Sequence, residues 1–244
     1  MPDLFDPPPD PDALKAKALA VHESLCREYE CPIAYFSTKD PLSELVSALL
    51  SHRTKNADSA RAYRQLRERF ATWEAVRDAP VEEVQSAIAP CTWPEQKAPR
   101  IQQVLAEISA APETDGLSLD ALADWPASRA RPWLQAFKGV GPKTSAAVLL
   151  FSRLRVPALP VDSHHHRVAQ RLGLIPETMA VGPSHDALAA LVPEGWDAQA
   201  VYDHHEVFML HGQKCCYWRR PDCHRCVVYD ECVWERKGAR AGEG

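Results

Sequence analysis

Two stretches of this sequence hold residue types at spacings that suit chemistry. The first is a run of cysteines. Eight are present, and five fall between Cys215 and Cys232. Cys216, Cys223, Cys226 and Cys232 run C-x6-C-x2-C-x5-C. Four thiolates so close in sequence can close on one metal centre, either tetrahedral zinc or a [4Fe–4S] cluster. Structural zinc more often takes two short pairs separated by a longer loop, so one short pair flanked by single cysteines suits it less well. Cys215 is the odd member, and Cys26, Cys31 and Cys91 are scattered.

The second stretch, residues 137–145, reads Phe-Lys-Gly-Val-Gly-Pro-Lys-Thr-Ser, and the apolar run Ala146 to Phe151 follows. Gly139 and Gly141 permit a tight turn with close backbone approach. A turn opening into a helix points free N–H groups outward, which suits a phosphate of a nucleic-acid backbone; it also serves as an ordinary helix cap. Lys143 then stands at a helix N-terminus, where the dipole disfavours positive charge. Part burial there would favour the neutral amine, a nucleophile that forms Schiff bases with aldehydes; the alternative is a solvated lysine. Nineteen residues on, Asp162 follows a Leu-Pro-Val loop and precedes Ser163-His164-His165-His166-Arg167. Asp162 reads as a helix cap, as a carboxylate that stabilises a cationic transition state, or as both.

Gly139-Val140-Gly141-Pro142-Lys143-Thr144 followed by Val161-Asp162-Ser163-His164 resembles the helix-hairpin-helix, Gly/Pro-loop and Asp pattern of the endonuclease III family of DNA glycosylases. The cysteine spacing matches that family's C-terminal iron–sulfur loop, together with Leu210-His211-Gly212 upstream and Pro221. The resemblance covers nearly the whole chain after the acidic start. It implies that Lys143 is the Schiff-base nucleophile, Asp162 the catalytic carboxylate, and Cys216, Cys223, Cys226 and Cys232 the ligands of a [4Fe–4S] cluster, with zinc the less fitting occupant. The implied activity is excision of oxidised pyrimidines from duplex DNA, with abasic-site lyase chemistry. A binding protein with weak or no turnover and a monofunctional glycosylase are the alternatives. Damaged double-stranded DNA is the implied partner. No membrane or nucleotide cofactor is expected, and the chain is expected to be a monomer.

The resemblance also names a DNA-contact set. The turn contributes Gly139, Val140, Gly141 and Thr144. His164 matches the family, while His165 and His166 read either as flanking a helix surface or as adding pH-sensitive contacts to the DNA backbone. The cluster loop Tyr217-Trp218-Arg219-Arg220 reads as a phosphate contact through Arg219 and Arg220, or as a solvated turn. An extruded base leaves a gap that side chains must fill. The family fills it from two loops, here His52-Arg53-Thr54-Lys55 and Thr92-Trp93-Pro94. Arg53 replaces a common glutamine, Lys55 adds attraction to phosphate, and Trp93 is either an apolar wedge or a packed side chain. Lys138, Pro142 and Gln213 are further departures from the family pattern.

The elements that must position these residues read as helices. Leu42, Leu45, Val46, Leu49 and Leu50 recur at helical spacing behind Asp40-Pro41. Residues 57–70, 81–89, 97–109 and 117–124 also read as helices, and β-branched alternation is scarce. An all-α protein follows. The resemblance divides it into a six-helix, barrel-like domain with the helix-hairpin-helix over residues 38–154, and a cluster domain from 13–37 plus 155–244. The implied cleft lies between them. Residues 1–12 read as a loose acidic, proline-rich tail, and Arg236 onward as frayed.

Composition sets the outer limits. The chain has 244 residues, 45% apolar and 25% charged, near a globular average. Net charge is −5, of which −4 falls in residues 1–37, so DNA binding needs a local basic face rather than a global field. No apolar run is long enough to cross a bilayer and no secretory leader is visible. The expected location is the cytoplasm, at the nucleoid if the source is bacterial. Clustered cysteines in such a reducing setting more often hold metal than pair.

Overall fold

The computed structural model describes residues 10–239. Among them every regular element is helical, and none of the helices is long and apolar enough to cross a membrane. The chain divides into two compact units, one from Tyr35 to Pro160 and one from the two flanking segments.

The continuous unit holds seven helices. These are α2 (Pro41–Ser51), α3 (Asn56–Arg69), the six-residue α4 (Trp73–Asp78), α5 (Val81–Ala87), α6 (Pro94–Ala110), α7 (Ala127–Ala136) and α8 (Pro142–Phe151). Asp40 starts α2 as its sequence suggests: the carboxylate accepts from Ser43 N at 2.9 Å, and Pro41 occupies the first turn. Leu45 and Leu50 of α2, Ile101 and Leu105 of α6, and Val148 and Leu149 of α8 are fully buried in one core. Every residue of α8 from Ser145 to Phe151 is buried, so this helix forms the inside of the unit and only its first turn reaches the surface. The helix expected over 117–124 is instead a 3₁₀ turn at Asp120–Asp124. Leu119 and Leu122 are buried three residues apart, the spacing that a 3₁₀ turn eclipses on one side, and Pro126 follows. The unit extends beyond residues 38–154 because the Arg155 guanidinium donates to Ser37 O at 2.7 Å and covers the Tyr35 ring.

The second unit holds α1 (Pro11–Tyr29), α9 (Ser163–Arg171), α10 (Val181–Ala189) and α11 (Ala198–Lys214), with α11 packed on both α1 and α9. Residues 10–12 do not belong to the expected tail. Asp10 caps α1 and Pro11 opens it, leaving residues 1–9 outside the described residues. The frayed end is also corrected: the Lys237 amine donates to Cys232 O at 2.8 Å and to Tyr229 O, while residues 240–244 lie outside the description. Two of the scattered cysteines pair: Cys26 and Cys31 form a disulfide. Glu30, left-handed at φ 60°, turns the chain back at the end of α1 so that Cys31 N bonds Cys26 O.

Candidate active site and metal centre

The turn between α7 and α8 is built around Gly139. Its φ of +94° disfavours any side chain, and a Cβ there would lie 2.6 Å from the Arg100 guanidinium. Gly141 has an extended φ of −92° and open space where a Cβ would stand, so the fold makes no demand for glycine at this position. As the residue before α8 it offers no side chain to cap the helix, and its own carbonyl accepts from Ser145 N. The first turn of α8 is therefore without a side-chain cap. Val140 is buried and anchors the turn; Thr144 is half-buried.

Lys143 is exposed in that first turn, so of the two readings of this position the structure shows the solvated one. Its surroundings are strongly cationic. The imidazole of His52 is held below its ordinary value by desolvation first, then by Lys97, Arg53 and Lys143. The hairpin lysine thus shares one positive face with the loop after α2, on which Lys55 is also exposed. A chain of net charge −5 has gathered here the local basic surface that DNA binding needs.

The two loops assigned to gap filling meet. Arg53 and Trp93 are non-glycine residues at φ 50° and 54°, and the Arg53 guanidinium lies 6.0 Å from the Trp93 ring centroid. Trp93 is 43% exposed and so is not a core residue.

In the other unit Asp162 caps α9, its Oδ1 accepting from His165 N at 2.7 Å. Below it the interior is unusually polar. Glu206 of α11 is buried, and burial followed by the charges of Asp162 and Asp203 pushes its carboxyl up to about 7. His164 is half-buried, and its Nδ1 lies 3.1 Å from Arg167 Nη2. A Cβ on Gly212 would come within 2.7 Å of the His164 Cβ, so glycine lets α9 and α11 approach closely. His165 corrects the surface expectation: it has no exposure and stacks on Phe208 with ring centroids 4.4 Å apart. His166 bonds Met179 O at 2.9 Å.

The cysteine segment folds around two arginines. Arg171 donates to Cys216 Sγ at 3.2 Å, to Tyr217 O at 2.8 Å and to Trp218 O at 3.2 Å. Arg167 donates to Cys216 O and Gly212 O. Held from within, the loop turns Trp218, Arg219 and Arg220 outward, all exposed. Cys216 lies within electrostatic reach of Cys226, and Cys232 within reach of both Cys223 and Cys226. Burial pushes the Cys216 and Cys232 thiols up, and Cys226, hydrogen-bonded to Cys215 and half-buried, is pushed up to about 12. Crowded thiolates repel one another, and a bound multivalent cation reverses that balance. The donor set fits a metal centre.

Cys215 and His211 are the residues the sequence reading left without a role. Their ligand atoms and that of Cys226 all lie within 4.8 Å of one another, a Cys/His group able to hold a metal ion. Their i, i+4 spacing at the end of α11 was the available signal. In a four-iron cube each thiolate binds a different corner, so its ligands stand further apart than those of a single ion.

Comparison with known proteins gives these sites a setting. The model of the HhH-GPD superfamily of base excision DNA repair proteins matches residues 46–196. Endonuclease III of Thermotoga maritima is 30% identical over 84% of this chain and 87% of its own length. The chain belongs to the endonuclease III family. It is an endonuclease III-like DNA glycosylase of the helix-hairpin-helix superfamily. A putative DNA glycosylase of Arabidopsis thaliana, At3g47830, is 28% identical over 80% of this chain, which spans 64% of that protein's length. A solved structure of a trapped endonuclease III–DNA covalent intermediate matches with a TM-score of 0.72 at 22% identity, covering 90% of this chain and 95% of that one, and so shares the fold.

Proposed function

We propose that this glycosylase removes oxidised pyrimidines from duplex DNA and cleaves the resulting abasic site through a Schiff base on Lys143. One observation carries the reading: Lys143 is exposed in the first turn of α8, directly behind an uncapped glycine turn and near a loop that exposes Arg53 and Lys55. The relative captured as a trapped covalent DNA intermediate agrees with this chemistry.

The first-turn amides and the Gly139–Gly141 turn hold a backbone phosphate, and Lys55, Arg219 and Arg220 attract other phosphates. The damaged nucleotide leaves the stack, and Arg53 and Trp93 fill the space. The Lys143 amine attacks the anomeric carbon of the sugar while the glycosidic bond breaks and its electron pair leaves with the base. The Asp162 carboxylate stabilises the positive charge that develops on the sugar and accepts a proton from the lysine. Ring opening gives the iminium. Loss of the proton at the neighbouring carbon drives its electron pair toward the iminium and expels the 3′ phosphate, cutting the strand.

Cys216, Cys223, Cys226 and Cys232 would hold a [4Fe–4S] cluster, which when bound cross-links the segment that presents Arg219 and Arg220. The proposed partner is damaged double-stranded DNA, bound by a single copy of the chain.

Borohydride trapping on a duplex with one abasic site tests this reading. A covalent adduct is expected with the wild type and none with Lys143→Ala. Binding without an adduct would reveal a DNA-binding protein, and base release without strand cutting a monofunctional enzyme; either outcome overturns the proposal. Four irons per chain are expected after anaerobic purification, and stoichiometric zinc contradicts the cluster.

A further inference from the structure

The Lys97 side chain is the least expected group on this surface. Lysine is almost never fully buried unless paired. Here Lys97, in the first turn of α6, is only 9% exposed. Its ammonium donates three hydrogen bonds: to Leu50 O at 2.6 Å, to His52 O at 2.8 Å and to Thr54 Oγ1 at 2.7 Å. An ammonium has three donors and all are used. Two of the acceptors are carbonyls at the C-terminal end of α2, where a helix leaves its oxygens unpaired and its dipole favours a cation.

The third acceptor, Thr54, joins the second loop. Its Oγ1 also accepts from Thr92 N at 3.2 Å and donates to His52 O at 3.3 Å. The Cys91 thiol adds a contact to Leu50 O at 3.5 Å. Residues 50–54 and 91–97 are therefore one hydrogen-bonded assembly. At its outer edge stand Arg53 and Trp93, each in the left-handed conformation that costs a non-glycine residue stability and persists only where the surroundings enforce it.

We propose that Lys97 and Thr54 are positioning residues that lock the two loops together, so that Arg53 and Trp93 act as one composite wedge in duplex DNA. The indole stacks on the exposed base step, and the guanidinium donates to the edge of the unpaired base. This inference rests on the function proposed above. Lys97 touches no reacting atom; it acts by fixing two backbones.

The test compares a substrate that needs a wedge with one that does not, using the full chain with its metal centre. The substrates are an abasic site in duplex DNA and the same site in a single-stranded oligonucleotide. Lys97→Met, which keeps the volume but leaves three acceptors unmet, and Thr54→Val, which removes only the hydroxyl, are expected to slow duplex trapping by on the order of 10- to 100-fold. Single-strand trapping stays within about twofold of wild type, since backbone misplacement alone carries the loss. Thr54→Ser restores the duplex rate. 2-Aminopurine opposite the abasic site should brighten on wild-type binding, as the wedge unstacks it, and brighten less with either variant. Should Lys97→Met fail to fold, the Thr54 pair still decides. Equal losses on both substrates, or full duplex activity in Thr54→Val, would overturn the assignment. Absence of any adduct with the wild type would overturn the proposed chemistry instead.

Discussion

The two units carry their chemistry in opposite ways. In the continuous unit the candidate groups lie on the surface of an apolar core: Lys143, His52, Arg53 and Lys55 are all exposed, and α8 is buried from Ser145 onward. In the other unit the polar groups lie inside. His165, His204, Glu206 and Asp203 are buried within or beside α11, and Asp162 spends one carboxylate oxygen on a helix cap. The first arrangement suits a nucleophile that must meet DNA. The second suits a carboxylate held in fixed orientation above an interior of low dielectric, where charge acts strongly and is costly to place.

That contrast breaks most visibly at Asp162. Asparagine can still cap α9, so Asp162→Asn should melt within a few degrees of wild type. Base release in single turnover should fall by about 10²- to 10⁴-fold. Normal base release by this variant would show that Asp162 is only a cap.

The next expectation concerns acid and base limits. Desolvation and neighbouring imidazoles hold His165 well below its ordinary value of 6.5 and His204 down to about 3. These groups must be neutral in the fold, so the stability they permit is complete above about pH 6.5 and is lost as pH falls toward 3. Glu206 has the opposite sign. Its carboxyl, raised from 4.5 to about 7, favours the protonated fold, so its contribution is complete below pH 4.5 and is lost as pH rises through 7. Urea midpoints across pH should therefore fall on both sides, and Glu206→Gln should raise only the alkaline side. A midpoint that Glu206→Gln leaves unchanged above pH 7 would remove the raised carboxyl from this account.

The smallest effects compare two glycines. Gly212→Ala sets a methyl against the Cβ and backbone of His164, so α9 and α11 must separate at a cost of about 1–3 kcal/mol. Gly139→Ala meets the movable Arg100 side chain, leaving backbone strain of about 1–2 kcal/mol. Denaturation midpoints of both variants test whether the α9–α11 seam is packed more tightly than the turn before α8.

Much of this was legible in the residue order. Asp40-Pro41 fixes the start of α2 because a short acceptor and a preset φ act locally, whatever the rest of the chain does. The same locality makes the Gly139–Gly141 turn, the cap at Asp162 and the cysteine spacing readable. Lys97 and Glu206 were not legible as special. Nothing within a few residues of Lys97 distinguishes it from a solvated side chain, and its acceptors lie 43–47 positions away; Asp203 stands three residues from Glu206, but burial and Asp162, 44 positions away, come first in raising its carboxyl. His165 was misplaced for the same reason: a histidine triplet in sequence is three directions in space, and only helix packing decides which of them points inward.

By itself, then, the sequence determined the helical class, the turn before α8, the lysine and aspartate on which the chemistry is proposed to rest, and a thiol-rich segment fit for a metal. Tertiary structure alone decided which charges are buried. It placed an ammonium beneath the loops after α2 and before α6, a shared cationic surface around Lys143, and a carboxyl near neutrality beside Asp162. Burial and long-range proximity set these properties, because desolvation and Coulomb energy depend on distance in space, while caps and turns depend on distance along the chain.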